Sequence, residues 1–234
     1  MSSISSTPLV IRPAKDDEYL DIARLHYTAV TPSPMFQLLS SKVDPSAWLE
    51  FSAEQFKQAA HSDFSSLLVA QQTDTREIVG IALTHRYTDA HRPQLSRCPF
   101  PEGWNTEEAE HINARGLDFK EGFLRKYGEY IYLGDFAVSV DRQGQGIGKR
   151  LAEHIIGEAK QNGMNMALTA AAGKVEFYQK LGFEVAGKPP MSSDGTLEGP
   201  TPMQMVSEEA ERNLELYEAI QPGFRATGGS NGIN

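Results

Sequence analysis

The stretch QGQGIGKR at residues 143–150 lies between two segments of different character. Before it, Tyr130 to Val140 is rich in β-branched and aromatic residues, which is typical of a strand. After it, Gly148 to Asn162 predicts an amphipathic helix, because one face carries Ile147, Leu151, Ile155 and Ala159. The order strand, glycine-rich loop, helix therefore decides how the rest of the chain is interpreted.

The glycines of this loop allow main-chain N–H groups to approach a ligand closely. The first N–H groups of the following helix have no partner within it, and the helix dipole is positive at that end. Lys149 and Arg150 add two cationic side chains beside them. The loop therefore predicts a binding site for a phosphate-bearing ligand.

Spacing excludes two nucleotide-binding motifs. A P-loop requires glycine where Gln143 stands and a hydroxyl residue where Arg150 stands. The dinucleotide fingerprint fails because its third glycine falls on Lys149 or on Leu151, depending on which glycine pair begins it. The remaining alternative to a ligand site is a glycine-rich turn that binds nothing.

Outward from the loop, hydrophobic periodicity and turn residues predict a chain of mixed strands and helices. The predicted strands are residues 8–13, 66–71, 78–86, 130–140, 164–170, 183–186 and 202–206. One helix is predicted to follow Asp17. The other predicted helices span about 44–61, 106–126, 148–162 and 173–181. We expect one domain over residues 1–206, with an insertion at about 88–129 near the active site. Residues 207–234 form a C-terminal extension that is expected to be partly disordered.

Composition restricts the class of function. The 234 residues carry a net charge of −9, and no basic stripe is available to neutralise nucleic-acid phosphates. The acidic balance favours a cationic substrate such as an amine. No apolar run approaches the roughly 20 residues that span a bilayer, and Met1 to Thr7 lacks the features of a signal peptide. Cys98 is the single cysteine, and we therefore expect a reduced, cytoplasmic compartment. We expect no nucleic-acid or membrane partner, and either a monomer or a homodimer.

Two motifs carry a resemblance to a known family. Gln143-x-x-Gly146-x-Gly148 resembles the acyl-CoA motif of the GNAT superfamily of N-acetyltransferases, and the run from Phe177 to Phe183 is similar to its Phe-Tyr-x-Lys-x-Gly-Phe motif. The resemblance is strong from Tyr130 to Val185. It implies an α/β (α+β) single-domain fold. Its central sheet would be mixed and mostly antiparallel, splayed at the CoA site and flanked by helices.

The resemblance also implies acetyl-CoA as the co-substrate and an amine as the acceptor. The CoA pyrophosphate would bind the amides of the loop, and the pantetheine arm would pair with the end of the preceding strand. Lys174 is a candidate for binding a CoA phosphate. The alternative is a lysine that is only solvated. No metal is implied. The candidate cofactor-binding residues are Phe136, Ala137, Val138, Gln143, Gly144, Gln145, Gly146, Ile147, Gly148, Lys149 and Lys174.

Catalytic roles follow from the same resemblance. The Val138 amide corresponds to the donor to the thioester oxygen, and Tyr178 to the general acid for the departing thiolate, with a half-buried structural tyrosine as the alternative. Ala171 stands where the family often has an asparagine, so a side-chain hydrogen bond to pantetheine is absent there.

The general base is less well defined by the sequence. Counting back from the loop places the family's strand carboxylate at Gly134, which has no side chain. Asp135 is one residue away and is expected to face the other side of the sheet, where a structural role is the alternative to catalysis. His85 and His111 are further candidates, as is deprotonation through ordered water.

The insertion supplies four aromatic candidates for the acceptor pocket: Phe100, Trp104, Phe119 and Phe123. The last two have helical spacing, which is also typical of core contacts. Cys98 is not expected to act as a nucleophile, because nothing near it indicates a triad. Two alternatives to acetyl transfer stay open: transfer of another acyl group, and non-catalytic sensing of acyl-CoA.

Overall fold

A computed structural model describes residues 8–94 and 99–212. Within them, seven strands form one sheet in the order β1-β2-β3-β4-β5-β7-β6. The strands are β1 Leu9–Pro13, β2 Ser65–Gln72, β3 Ile78–Tyr87, β4 Tyr130–Val138, β5 Asn165–Ala170, β6 Glu184–Val185 and β7 Thr201–Met205. The helices are α1 Tyr19–Val30, α2 Pro34–Ser40, α3 Pro45–Ala60, α4 Thr106–Tyr127, α5 Ile147–Gln161 and α6 Val175–Gln179. Neighbouring strands are antiparallel except β4 and β5. The predicted mixed, mostly antiparallel sheet is thus confirmed.

Helices cover both faces of this sheet. On one face α5 buries the predicted apolar stripe, in which Leu151 and Ile155 are at most 2% exposed. On the other face α1 and α3 pack over β2 and β3, with Ile22 and Phe56 in the core. The C-terminal half of α4 packs through Phe123 on Tyr130 of β4, with ring centroids 4.6 Å apart.

Most predicted elements lie within a few residues of their observed bounds, and two differences have local causes. The chain forms α2 after Pro32 because Ser33 caps the helix by accepting from the Phe36 amide and Pro34 occupies its first turn. The strand predicted to reach Val140 ends at Val138, since Val140–Arg142 forms a 3₁₀ turn. Predictions for residues 1–7, for Cys98 and for residues 213–234 lie outside the described residues.

The centre of the sheet opens between β4 and β5. These strands pair only from Tyr130–Asn165 to Leu133–Leu168, whereas β4 continues beside β3 as far as Val138. The Tyr132 hydroxyl and the Thr169 hydroxyl are hydrogen-bonded at 2.9 Å, where the strands part. The expected splay is therefore present, and it leaves one edge of β4 without a strand neighbour.

A β-bulge lies at the same position. Ala82 is opposite Phe136 and Thr84 is opposite Leu133, so Leu83 faces both Gly134 and Asp135. The extra residue on β4 reverses the alternation of side chains beyond it. Leu133 and Phe136 consequently face the same side of the sheet, in the cluster beneath α5.

The segment before α4 docks on the turn after α2. The Trp104 ring stacks between Trp48 and Phe100, at centroid distances of 5.0 and 5.3 Å. Gly103 has φ +87°, and a Cβ atom there would overlap the carbonyl oxygen of Lys42. Glycine is thus required for this close approach. Within the described residues, no helix is long and apolar enough to cross a membrane.

We expect Gly103→Ala to lower the free energy of unfolding by about 1–3 kcal/mol, since the added methyl group forces the docked segment away from Lys42. Urea denaturation measures the change. Gly157→Ala is the matched control, because Gly157 lies inside α5 with no atom near its added Cβ. The control should raise the free energy of unfolding by about 0.5–1 kcal/mol. Equal stability of both variants would contradict this account of Gly103.

Candidate active site

A cavity of about 1110 Å³ lies on the α1 and α3 face of the sheet. Its walls come from α1, α3, the middle of α4, strands β3 to β5, and the loop 187–200 between β6 and β7. Its surface combines aromatic rings with titratable side chains, and the latter include His26, His85, Lys120 and Asp135. Such a mixture is typical of a ligand site.

Asp135 lies in this cavity, and the expectation that it faces the other side of the sheet was wrong. The bulge at Gly134 and Asp135 turns it to the side that Tyr132 faces, and both residues line the cavity. Its Oδ1 is 3.3 Å from Nε2 of His26 on α1. The Nδ1 atom of His26 is buried without a hydrogen-bond partner. Asp135 and His26 therefore form a polar pair on the cavity wall.

His85 occupies the space beside Gly134. Its Nδ1 is 2.9 Å from the Ser65 hydroxyl, and a Cβ atom at Gly134 would lie 3.2 Å from its Cδ2 and Nε2 atoms. Burial lowers the pKa of His85 to about 4. His85 is therefore a neutral cavity side chain near pH 7 and a weak proton acceptor.

His111 has a tethering contact. Its Nε2 is 3.1 Å from the carbonyl oxygen of Met191, so that the ring nitrogen donates to the loop 187–200. One turn earlier on α4, the buried Glu108 carboxylate accepts from the Ser193 amide at 3.0 Å and from the Ser193 hydroxyl. These contacts fix α4 and the loop as one wall.

The aromatic residues of the insertion divide into two groups. Phe100 and Phe119 line the cavity, beside Trp48 and Phe51 of α3. Trp104 stacks directly behind this surface. Phe123 is 3% exposed and belongs to the core beneath α4. The cavity thus has an apolar aromatic region as well as its polar pair.

The glycine-rich loop opens α5 as the sequence predicts. Gly144 and Gly146 have φ of +76° and +79°, and Gly146 is the N-cap. The first backbone bond of the helix runs from the Arg150 amide to the Gly146 oxygen at 3.0 Å. The amides of Ile147, Gly148 and Lys149 are left without helical acceptors. Lys149 is exposed beside this end, whereas Arg150 turns away and donates to the Leu9 carbonyl at 3.1 Å.

The open edge of β4 faces the gap between the strands. The Ser139 amide donates to the Val79 oxygen at 3.0 Å, so Ser139 and every second residue before it have main-chain groups that point toward β3. Since alternate residues of an antiparallel pair bond to a given neighbour, the main-chain groups of Phe136 and Val138 point away from β3. They point to the side where β5 has diverged, and the Val138 oxygen accepts there from Nε2 of Gln143 at 3.1 Å.

Residues 112–207, from α4 to the end of β7, match the family model of the acetyltransferase (GNAT) domain. The resemblance seen in the two sequence motifs is thereby confirmed for this part of the chain.

Solved structures share the GNAT fold. A protein described as histone acetyltransferase HPA2 and related acetyltransferase from Corynebacterium glutamicum is 21% identical. The alignment covers 85% of this chain and 96% of that one, with a TM-score of 0.55. A putative arylalkylamine N-acetyltransferase 7 from the yellow fever mosquito is 12% identical over 84% and 86% of the two chains, with a TM-score of 0.65. The condensation domain of Ebony is 12% identical over 85% and 99%, with a TM-score of 0.63. No curated protein matches the chain.

Two predicted residues of the GNAT domain lie away from the cavity. Tyr178 on α6 is 7% exposed, and its ring packs against Phe136, Phe177 and Phe183. Burial raises the pKa of Tyr178, so that its phenol keeps its proton. Lys174 is the exposed N-cap residue of α6. Among the described residues, no group of three or more histidine or acidic side chains could hold a metal ion.

Two cavity residues, His26 and Lys120, carry no signal in the sequence. A lone histidine in the first helix and a lysine in a charged helix show no pattern that separates them from surface residues. Only the packing of α1 and α4 against β4 brings both side chains to the cavity that Asp135 lines.

We expect Gly146→Glu to weaken acetyl-CoA binding by at least about 100-fold, because a side chain strains the left-handed backbone and its carboxylate enters an anion site. Isothermal titration measures the dissociation constant. Gly163→Glu is the matched control, since Gly163 also has positive φ (+63°) but follows the opposite end of α5. An unchanged affinity of Gly146→Glu would contradict the assignment of the loop.

Proposed function

We propose that this protein transfers an acetyl group from acetyl-CoA directly to a primary amine. The observation that carries the proposal is that β4 presents a side chain to the cavity and main-chain groups to the gap in the sheet. Asp135 faces the cavity, whereas the main-chain groups of Phe136 and Val138 face the gap beside the glycine-rich loop. An acceptor in the cavity and a thioester in the gap would therefore meet at one strand.

For the donor, we propose that amides between Gln143 and Lys149 bind the CoA pyrophosphate at the positive end of α5. The open edge from Phe136 to Val138 would pair with the pantetheine arm as an added strand does. Lys174 is the exposed N-cap residue of α6 and is our candidate for a further phosphate contact. The phosphate-binding geometry supports acyl-CoA better than a loop without a ligand.

The acceptor must lose a proton before it attacks. An alkylamine with a pKa of about 10.4 is neutral in only about one molecule in 10³ at pH 7, and supplying the neutral form costs roughly 4–5 kcal/mol. We propose Asp135 as the base, oriented by His26 at 3.3 Å. His85 is neutral near pH 7 because burial lowers its pKa to about 4, so Asp135 is the group of the two that would also attract the ammonium form of the acceptor.

The neutral nitrogen then attacks the thioester carbonyl and gives up a second proton to water as the amide forms. The C–S bond breaks, and CoA leaves as a thiolate. The Val138 amide is our candidate donor to the developing oxyanion. Tyr178 is our candidate for protonating the sulfur. Because burial raises its pKa, proton transfer to a thiolate of pKa about 8.5 is uphill for an isolated phenol. The step therefore needs the thiolate to form in hydrogen-bond contact with the phenol, and the resulting tyrosinate must regain a proton from solvent.

The shape of the acceptor site supports an amine with a flat apolar body. Trp48, Phe51 and Phe100 form one region of the cavity, and Asp135 lies in another. Two neighbours in fold agree with this in their descriptions: the mosquito protein is a putative arylalkylamine N-acetyltransferase, and the Ebony domain is in complex with β-alanyl-dopamine. We therefore propose an aromatic primary amine as the acceptor.

The decisive experiment combines acetyl-CoA titration with thiol release over a panel of amines. We expect binding of acetyl-CoA and amine-dependent release of CoA. Binding without thiol release for any amine would favour the acyl-CoA sensor over the enzyme. Faster release of CoA from another acyl-CoA would identify that acyl group, and not acetyl, as the one transferred.

We expect Tyr178→Phe to lower kcat by on the order of 10²-fold, since it removes only the phenolic proton donor. The dissociation constant of acetyl-CoA should stay within about twofold of the wild-type value, because the ring and its aromatic contacts remain. Thiol release and titration give the two quantities. Equal losses of binding and turnover would assign Tyr178 a structural role.

We expect Asp135→Asn to lower kcat/KM for the amine by about 10²–10⁴-fold while acetyl-CoA binding is retained. The amide cannot accept the proton from the acceptor, although it keeps the shape of the carboxylate. Asp118→Asn is the control, because Asp118 lines the same cavity without an ion pair among the described residues. If both variants lost the same activity, general electrostatics of the cavity would explain the effect and Asp135 would not be the base.

A further inference from the structure

Lys120 is a cation on the cavity wall that the proposed reaction does not use. It lies on α4, and its Nζ is 4.3 Å from the centroid of the Tyr132 ring. Within the described residues, no carboxylate lies within 4.0 Å of this ammonium group. Burial lowers the pKa of Lys120, and Asp135 opposes that change from beyond ion-pair distance. Holding a partly desolvated cation without an ion pair costs free energy, and binding of an anion to it reduces that cost.

The charge around Lys120 differs in sign from that of the whole protein. The chain has a net charge of −9. The cavity, however, is lined by Arg115, Lys120 and Lys188 against Asp118 and Asp135. Asp135 has His26 3.3 Å away, and the three cations form no ion pairs with described residues. Cationic side chains thus outnumber acidic ones in the cavity wall by three to two, which favours a ligand that carries an anionic group in addition to its amine.

We propose that the acceptor carries a carboxylate in addition to its amine, and that Lys120 binds this carboxylate. This inference rests on the proposed function and specifies its substrate class. The amine would lie toward Asp135, the carboxylate toward Lys120 above Tyr132, and the apolar body against the aromatic region at Trp48. A molecule with these three groups is an aromatic amino acid or a close analogue.

The test uses matched pairs that differ by one carboxylate: tyramine and tyrosine, tryptamine and tryptophan, phenethylamine and phenylalanine. With wild-type protein and acetyl-CoA, thiol release should give a kcat/KM at least about tenfold higher for the amino acid of a pair. Lys120→Met should reduce that ratio by about 10–100-fold, and Lys120→Arg should retain most of it. A ratio below one in the wild type, or a ratio unaffected by Lys120→Met, overturns the inference.

Lys126→Met is the control variant, since Lys126 lies on the same helix with its Nζ 4.7 Å from the Tyr127 ring centroid, outside the cavity. It should leave the ratio unchanged. Retained acetyl-CoA affinity in each variant shows that the fold is intact. Preference for the decarboxylated amines would overturn the inference alone, whereas no thiol release with any amine would overturn the proposed function as well.

A binding measurement tests the same contact without catalysis. 3-Phenylpropionate has the ring and the carboxylate but no amine, and 3-phenylpropanol replaces the carboxylate by a hydroxyl. In the presence of CoA, the wild-type protein should bind the propionate at least about tenfold more tightly than the alcohol, and Lys120→Met should lose that difference. Equal affinities in the wild type would overturn the inference even for a protein that acetylates amines.

Discussion

The divergence of β4 from β5 after Leu133 and Leu168 is the constraint on which the site depends. A strand in the middle of a sheet normally satisfies its main-chain groups on both sides. Here β4 keeps β3 on one side and loses its other neighbour for the last part of its length. The hydrogen bond between Tyr132 and Thr169 holds the two strands together up to that point. An opening in the sheet is therefore created without loss of the core on either face.

The bulge at Gly134 and Asp135 adds a second function to the same strand. Without it, side chains would alternate regularly, and Asp135 would lie beneath α5 among apolar residues. With the extra residue, Phe136 packs beneath α5 and Asp135 reaches His26. Gly134 leaves room for the His85 ring at the bend. One β-bulge thus separates the apolar support of the proposed donor side from the polar wall of the proposed acceptor side.

The parts of the site that depend on local sequence could be predicted. Gly144, Gly146 and the apolar stripe of α5 act through backbone conformation and helical spacing, so the loop and its helix followed from the residues alone. The orientation of Asp135 could not be predicted, because a bulge depends on how β3 pairs with β4 and not on either strand by itself. His26 and Lys120 were missed for a related reason, since each reaches the cavity only through long-range packing of its helix. The catalytic and binding roles assigned to these residues stay predictions.

The attachment of α4 to the loop 187–200 has a consequence for the timing of the reaction cycle. Glu108 and His111 hold this wall by a few hydrogen bonds, whereas Phe123 anchors the far half of the helix in the core. Segments held mainly by polar contacts open at a lower free energy than the core does. The contact of α4 with the loop can thus open while Ala109 and Ile112 keep the helix itself packed. In the proposed reaction the acylated product is bulkier than the amine, and the rate at which this wall opens would limit turnover when chemistry is fast.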